Sequence, residues 1–305
     1  MIRAGHTGHV STDVVRTLVH LSDLHFGASP RLERRTVALV DALHRARVDH
    51  VVVTGDVTEH GRRSEFERFL AVFDGFAHRG RLTVVPGNHD RLGDDVGDLA
   101  MAGERVQVRR APGLHLVLCD STRPGPGFAF VAHGSLVHET IDAIERAAAT
   151  AASDALVAVL LHHHVLPRRH ESVLEAVGSA LGLPFAGALP LGAALLQRLR
   201  GRCDLVLHGH RHRPIAQWLP GARPLGLFNA GCSPALAAAR RFVHARGRLL
   251  ATPAWLGPRA ASAAAAQHPD LSQAQPLPPS LTISPACGTA QVRCVSLSPQ
   301  STTRS

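Results

Sequence analysis

Lysine and tyrosine are absent from this sequence of 305 residues, and aromatic side chains make up only 4% of it. No tyrosine is therefore available as a nucleophile. All 33 basic residues are arginines, scattered along the chain rather than grouped in one stripe. We attribute the formal net charge of +9 to this compositional bias on a solvated surface, and we predict no nucleic-acid partner from it.

Cysteine is also scarce, with five residues that form no Cys-x-x-Cys pair. An odd count without such pairs argues against a disulfide framework and against a cysteine-bound zinc site. Free thiols are typical of proteins in reducing compartments. We therefore expect a cytoplasmic protein.

Long apolar runs are missing as well. The longest covers residues 155–161, whereas a membrane-spanning helix needs about 20 apolar residues. The opening stretch, MIRAGHTGHVSTDVVRT, contains no apolar core of the kind that signal peptides carry. We therefore expect no secretion signal and no membrane partner.

Hydrophobic residues make up 45% of the chain, which is enough to bury one large core. Residues 15–257 have the patterning of a folded domain, whereas residues 1–14 are polar and predict a flexible arm. Residues 258–305 are rich in Ala, Ser, Pro and Gln and predict a disordered tail. Residues 168–191 are longer than a tight connection requires, and we expect them to form a cap that selects substrate.

Apolar strands alternate with amphipathic helices in residues 15–257, which predicts an α/β layered fold. We predict strands at residues 16–21, 48–54, 81–85, 114–119, 156–161 and 205–207, and helices at residues 31–47, 64–76, 136–150 and 192–199. Most of the strands end in a loop that bears Asp, Asn or His. Because sites of open α/β sheets form at the carboxyl ends of strands, these loops predict a shared site.

Five short motifs occupy these loops in order. They are Asp23-Leu24-His25, Gly55-Asp56, Gly87-Asn88-His89-Asp90, His162-His163-His164 and Gly209-His210-Arg211-His212. Carboxylate and imidazole ligands suit Mn, Fe or Zn. The two oxygens of Asp56 could bridge two cations, and Asn88 offers a neutral carbonyl oxygen. The motifs together therefore predict a binuclear metal site.

The order of these motifs resembles the signature of the calcineurin-like metallophosphoesterase superfamily. The blocks HLSDLHFG, VVVTGDVTEHG and VVPGNHD look similar to bacterial members of the class III cyclic-nucleotide phosphodiesterase type. The resemblance covers roughly residues 15–245. It implies a four-layer αββα sandwich with a binuclear metal site at the carboxyl ends of the strands.

The resemblance also implies a division of the ligands between two divalent metal ions, Mn, Fe or Zn. One ion would be held by Asp23, His25, Asp56 and His212. The other would be held by Asp56, Asn88, His162 and His210, with Asp56 bridging the two. Either His162 or His163 could be the ligand of the fourth motif, and alignment on Pro167 favours His162. His89 would remain as the catalytic residue.

The implied function is the metal-dependent hydrolysis of phosphoesters, above all phosphodiesters. A hydroxide bridging the two ions would attack phosphorus in line with the leaving oxygen, and His89 would stabilise the transition state or protonate that oxygen. The expected partner is a small phosphoester substrate. A non-catalytic scaffold of the same fold and a nuclease of the same superfamily are the alternatives, and the sequence predicts no oligomeric state.

Overall fold

The computed structural model describes residues 14–122, 134–166 and 189–258. Nearly all of the predicted N-terminal arm, the cap segment 168–191 and the C-terminal tail lies outside these described residues. The boundaries proposed for those three segments stay predictions. Within the described ranges, no helix combines the length and the apolar character needed to cross a membrane.

Twelve β-strands form in the described residues. They are β1 (Arg16–Leu21), β2 (His50–Thr54), β3 (Leu82–Val85), β4 (Val106–Ala111), β5 (Leu114–Cys119), β6 (Leu156–Leu160), β7 (Leu205–His208), β8 (Ile215–Leu219), β9 (Leu225–Asn229), β10 (Ala239–Ala245), β11 (Arg248–Leu249) and β12 (Ala254–Leu256). The first sheet has the order β11-β10-β1-β2-β3, with β12 paired to β10. The second sheet has the order β4-β5-β6-β7-β9-β8. The central pairs of both sheets, β1-β2-β3 and β5-β6-β7-β9, are parallel.

Six α-helices and one short 3-10 helix accompany the strands in the described part of the chain. They are α1 (Pro30–Arg45), α2 (Arg63–Ala77), the 3-10 helix (His89–Arg91), α3 (Gly97–Ala100), α4 (His138–Ala149), α5 (Gly192–Leu199) and α6 (Ser233–Leu236). Helix α1 begins at Pro30, one residue before the predicted start, because Ser29 caps it by accepting a hydrogen bond from the Leu32 amide and Pro30 occupies its first turn.

Three apolar clusters stack the elements into four layers. The first joins α1 and α2 to the outer face of the first sheet, through residues such as Leu39, Phe69, Val51 and Val53. The second fills the space between the sheets, through residues such as Leu18, Val52, Leu116, Leu160 and Leu207. The third joins α4 and α5 to the outer face of the second sheet, through residues such as Ile141, Leu195, Val159 and Val206. Alternate residues of one strand thus face opposite layers, which confirms the predicted αββα sandwich.

The five predicted motifs follow the carboxyl ends of β1, β2, β3, β6 and β7. Parallel strands place these ends along one edge of each sheet, and the two sheets are packed face to face. The fold therefore brings all five loops to the same end of the sandwich.

Candidate metal centre

Two overlapping clusters of Asp and His side chains lie at this end of the sandwich. The first contains Asp23, His25, Asp56 and His212, and the second contains Asp56, His162 and His210. Within each cluster, one potential ligand atom per residue lies within 4.8 Å of the others. Asp56 belongs to both, as the sequence predicts for a bridging carboxylate.

The first cluster is centred on two imidazole nitrogens. Nε2 of His25 lies 3.0 Å from Nε2 of His212. The His212 nitrogen is also 3.4 Å from Oδ1 of Asp23, and the His25 nitrogen is 4.0 Å from Oδ2 of Asp56. The donor atoms of these four residues therefore converge on one point.

The second cluster is tighter and includes the predicted asparagine. Nε2 of His162 lies 3.3 Å from Oδ2 of Asp56 and 3.0 Å from Oδ1 of Asn88. Nδ1 of His210 is 2.9 Å from the same Asn88 oxygen and 3.2 Å from the His162 nitrogen. Oδ2 of Asp56 thus faces both clusters, while Oδ1 accepts a hydrogen bond from the His89 amide at 2.9 Å.

The three adjacent histidines of the fourth motif take different surroundings. His162 projects into the second cluster, whereas Nδ1 of His163 lies 2.9 Å from the Ser121 hydroxyl. That hydroxyl also accepts hydrogen bonds from the amides of both residues, each at 3.3 Å. Ser121 therefore holds the loop in the orientation that directs His162, and not His163, to the cluster.

Contacts outside the clusters orient two imidazoles. Nδ1 of His162 donates a hydrogen bond to the Thr54 carbonyl at 2.8 Å, and Nδ1 of His25 forms an ion-pair contact with Oε2 of Glu59 at 2.7 Å. Both contacts engage Nδ1 and leave Nε2 as the nitrogen that faces the cluster. Metal-binding histidines are oriented in this manner. The residues present therefore fit a pair of cations in donor type and in ring orientation.

Two glycines of the motifs are required by close approach of the loops. A Cβ on Gly87 would lie 2.2 Å from both the amide nitrogen and Oδ1 of Asp56, and a Cβ on Gly55 would lie 2.4 Å from Nδ1 of His162. Gly55 also has a φ of +82°, where side chains are disfavoured. The glycines thus let the second, third and fourth loops touch.

The pKa values of the cluster reflect buried carboxylates packed among imidazoles. Burial acts to raise the pKa of Asp56, but His162, His25 and His89 outweigh it and hold that pKa well below its ordinary value. Burial acts to lower the pKa of His162, yet the Asp56 carboxylate raises it to about 9. Burial and the charge of His162 lower the pKa of His210 to about 4. The Asp56 carboxylate is therefore available as a charged ligand.

The predicted catalytic residue, His89, lies beside the first cluster. Its ring is 4.8 Å from the ring of His25, centroid to centroid, and 18% of its side chain is exposed. Nδ1 donates to the backbone carbonyl of Glu59 at 2.8 Å. Asp90 anchors this loop, because its buried carboxylate accepts hydrogen bonds from the Gly87 amide and from Thr58.

Sequence reasoning did not identify Glu59, Thr54 and Ser121 as parts of the site. Glu59 stands inside the block VVVTGDVTEHG, but nothing in its spacing separates it from an ordinary surface acid. Thr54 acts through its backbone carbonyl, which carries no sequence signal. Ser121 follows β5, at the same end of the sheet as the motifs. That position is the one feature in the sequence that could have indicated a role in the site.

Five residues of the clusters have a left-handed backbone. The φ angles are +55° at Asp23, +49° at His25, +48° at Asp56, +75° at His210 and +52° at His212. Asp and His are among the few side chains that adopt this region with some frequency. These left-handed residues lie in the loops that follow β1, β2 and β7.

The fold is a two-sheet αββα sandwich, and its strand ends bring Asp, Asn and His into two clusters that share one carboxylate. These features together are typical of dimetal phosphohydrolases. A family model described as calcineurin-like phosphoesterase matches residues 16–214. The chain belongs to the calcineurin-like phosphoesterase family and is a metallophosphoesterase, a hydrolase.

The proteins similar to this chain include two curated relatives and a solved structure. A cAMP/cGMP dual specificity phosphodiesterase of Mycobacterium tuberculosis is 26% identical over 234 residues, which cover 70% of this chain and 67% of that protein. A glycerophosphodiester phosphodiesterase of Enterobacter lignolyticus is 30% identical over 173 residues, covering 49% of this chain and 57% of that protein. A dimetal phosphatase from Danio rerio has the same fold, with a TM-score of 0.50, 15% identity and coverage of 79% of this chain and 98% of that chain. The match thus spans little more than half the length of the second relative.

Proposed function

We propose that this protein hydrolyses small phosphodiesters with two metal ions bound in the overlapping clusters. The observation that carries the proposal is the position of Asp56, whose Oδ2 faces His25 in one cluster and His162 in the other. One ion would be held by Asp23, His25, Asp56 and His212, and the other by Asp56, Asn88, His162 and His210. This set of carboxylate, amide and imidazole ligands suits Mn, Fe or Zn.

The bound cations would supply Lewis acidity, which activates a water molecule and neutralises charge on the phosphoryl oxygens. His89 holds a proton close to the site. Because its Nδ1–H is donated to the Glu59 carbonyl, Nε2 is the atom that can carry a second proton to the leaving oxygen. Asp56 holds the backbone of His89 in position by accepting a hydrogen bond from the His89 amide.

The proposed substrate class is the small phosphodiester. The two relatives described above are named for cyclic nucleotides and for glycerophosphodiesters, which are both phosphodiesters. Cyclic nucleotides are the candidate favoured by the relative that matches the larger share of this chain. A screen with Mn²⁺ across cyclic nucleotides, glycerophosphodiesters, nucleotides and single-stranded DNA separates these substrates from those of a nuclease.

Hydrolysis of bis(p-nitrophenyl) phosphate by the Mn²⁺-loaded protein tests the proposal. We expect Asp56→Asn and His162→Ala to abolish most of the activity, because each removes a ligand that no neighbour replaces. His89→Ala should lower kcat by about 10²- to 10⁴-fold, as expected for the loss of a general acid. His163→Ala tests the alternative ligand and should lose less activity than His162→Ala. An inert wild type, or greater loss in His163→Ala than in His162→Ala, would contradict the assignment.

A further inference from the structure

Arg91 directly follows the third motif and connects a loop of one sheet to a loop of the other. It ends the 3-10 helix after β3, in the first sheet, and its side chain reaches the loop after β5, in the second sheet. Its Nε donates to the Thr122 hydroxyl at 2.9 Å, and one terminal nitrogen donates to Oδ2 of Asp120 at 2.6 Å. Arg91, Asp120 and Thr122 are called the inter-sheet clasp below.

The guanidinium of Arg91 is held in one position. Its other terminal nitrogen donates to Asp95 at 2.9 Å and to Asp98 at 2.8 Å, so three nitrogens contact four acceptors. The side chain is only 8% exposed. It lies against Gly97, where a Cβ would come within 2.5 Å of the guanidinium carbon. A planar fork of donors can make this set of contacts, whereas a single ammonium group cannot.

The far side of the clasp is fixed as well. Oδ1 of Asp120 accepts hydrogen bonds from the amide and the hydroxyl of Thr122, at 2.8 and 2.5 Å. The backbone carbonyl of Asp120 accepts from the guanidinium of Arg105. Asp120 directly precedes Ser121, the residue whose hydroxyl holds the loop of His162. A shift of Asp120 would therefore move the support of that histidine.

The near side of the clasp carries Asn88. The amide of Arg91 donates to the Asn88 carbonyl at 3.2 Å, so both residues belong to one tight turn. Oδ1 of Asn88 lies 3.0 Å from Nε2 of His162 in the second cluster. Asn88 comes from the first sheet and His162 from the second. Their spacing thus depends on how firmly the loops after β3 and β5 are held together.

Apolar packing alone does not fix that spacing. The cluster between the sheets includes Val85 at the end of β3 and Leu118 near the end of β5. Apolar contacts are non-directional and tolerate small shifts. The hydrogen bonds of a guanidinium to a carboxylate and a hydroxyl are short and directional. The clasp therefore adds an orientation that the apolar layer lacks.

We propose that Arg91 is a positioning residue, which holds the Asn88 loop against the Ser121 loop and so sets the geometry of the second metal cluster. This role rests on the proposed function, which assigns one of the two ions to that cluster. None of the four acceptors of Arg91 is an assigned metal ligand. Its effect on the cluster therefore passes through Asp120 and Ser121.

Titration calorimetry with Mn²⁺ on the metal-free protein tests this role without turnover. We expect Arg91→Gln to weaken one of the two binding events about tenfold, as is typical when a group that supports a ligand is lost. Asn88→Ala identifies that event, because Asn88 belongs to the second cluster alone. Arg198→Gln is the matched control, because Arg198 also pairs with two carboxylates, those of Asp142 and Glu145, but lies on α5 outside the motif loops. It should bind both ions as the wild type does.

A second variant separates positioning from a general loss of stability. Asp120→Asn keeps an oxygen for Thr122 but presents an amide that cannot accept from Arg91 as the carboxylate does. It should weaken the same Mn²⁺ event. The double variant Arg91→Gln/Asp120→Asn should lose no more than either single variant, because both changes break one contact. Asp98→Asn, at a side chain that is 73% exposed and on the near side of the clasp, should leave Mn²⁺ binding unchanged.

Three results would overturn the proposal. The first is unchanged Mn²⁺ binding in folded Arg91→Gln and Asp120→Asn. The second is an equal loss of affinity in Arg198→Gln, and the third is a fully additive loss in the double variant. A wild type that binds two Mn²⁺ ions but hydrolyses no phosphoester would contradict the proposed function instead. The expected pattern among the binding variants would still support the role of Arg91.

Discussion

Replacement of Glu59 tests how the site orients its ligands. Its carboxylate Oε2 lies 2.7 Å from Nδ1 of His25, and its backbone carbonyl accepts the Nδ1 proton of His89 at 2.8 Å. Glu59→Ala removes the carboxylate but keeps the carbonyl. The variant therefore removes the close contact with His25 and a longer one, 3.9 Å, between the carboxylate and Nδ1 of His89, but it keeps the carbonyl that accepts the His89 hydrogen bond.

The structure allows the size of the effect to be worked out. Without the Glu59 carboxylate beside Nδ1, the His25 ring can rotate and turn Nε2 away from the cluster. Loss of such a supporting group typically costs about 10- to 100-fold in metal affinity, which is roughly 1.4 to 2.7 kcal/mol. Glu59→Gln retains an oxygen that can accept the Nδ1 proton, so we expect it to lose much less.

Titration calorimetry with Mn²⁺ on the metal-free protein measures this affinity independently of turnover. We expect Glu59→Ala to weaken one of the two binding events and Glu59→Gln to restore most of it. Glu67→Ala, an exposed glutamate of α2, is the matched control. If Glu59→Ala binds both ions as tightly as Glu67→Ala does, the orientation of His25 by Glu59 is refuted.

Two further predictions concern packing and acid stability. Gly87→Ala would place a Cβ 2.2 Å from the Asp56 amide, so we expect loss of phosphoester hydrolysis together with a lower Tm in calorimetry. Burial first, and then nearby arginines, lower the pKa values of His50 and His244 from 6.5 to about 4. Unfolding releases them to take up protons, so stability present above pH 6.5 should fall towards pH 4, by up to about 3 kcal/mol per residue. Urea unfolding between pH 7 and pH 4 measures this, and a flat profile would contradict it.

The sequence predicts several of the buried strands, but burial alone does not decide which are found, because β9 is also buried along its whole length and is not in the predicted set. Strand β6 is a continuous apolar run and β2 contains three consecutive valines, and both strands are buried along their whole length. Strand β4, with the sequence VQVRRA, lies at a sheet edge and is largely exposed, so it has no apolar pattern to recognise. The three-residue 3-10 helix and α3 are too short to show helical periodicity.

The sequence predicts the residue types of the site and their order more completely than it predicts the geometry of the site. The motif residues meet because parallel strands align their carboxyl ends. That alignment can be inferred from the sequence, since each motif directly follows a predicted strand. The contacts that support them cannot be read in the same way. The bond from His162 to the Thr54 carbonyl joins residues 108 positions apart, and the choice between His162 and His163 depends on Ser121, 42 positions from His163. Such contacts depend on how the two sheets stack.

The left-handed backbone of five cluster residues gives this protein a conflict between stability and activity. At roughly 1 kcal/mol or more each, five such residues cost about as much as the entire net stability of many domains. Bound cations offset that cost, since any ligand of the native state alone raises its stability. We therefore expect variants selected for heat resistance without metal to accumulate glycine at Asp23, His25, Asp56, His210 and His212. Each such substitution would raise the stability but remove a metal ligand. Selection for stability of the metal-free protein would therefore lower its catalytic activity.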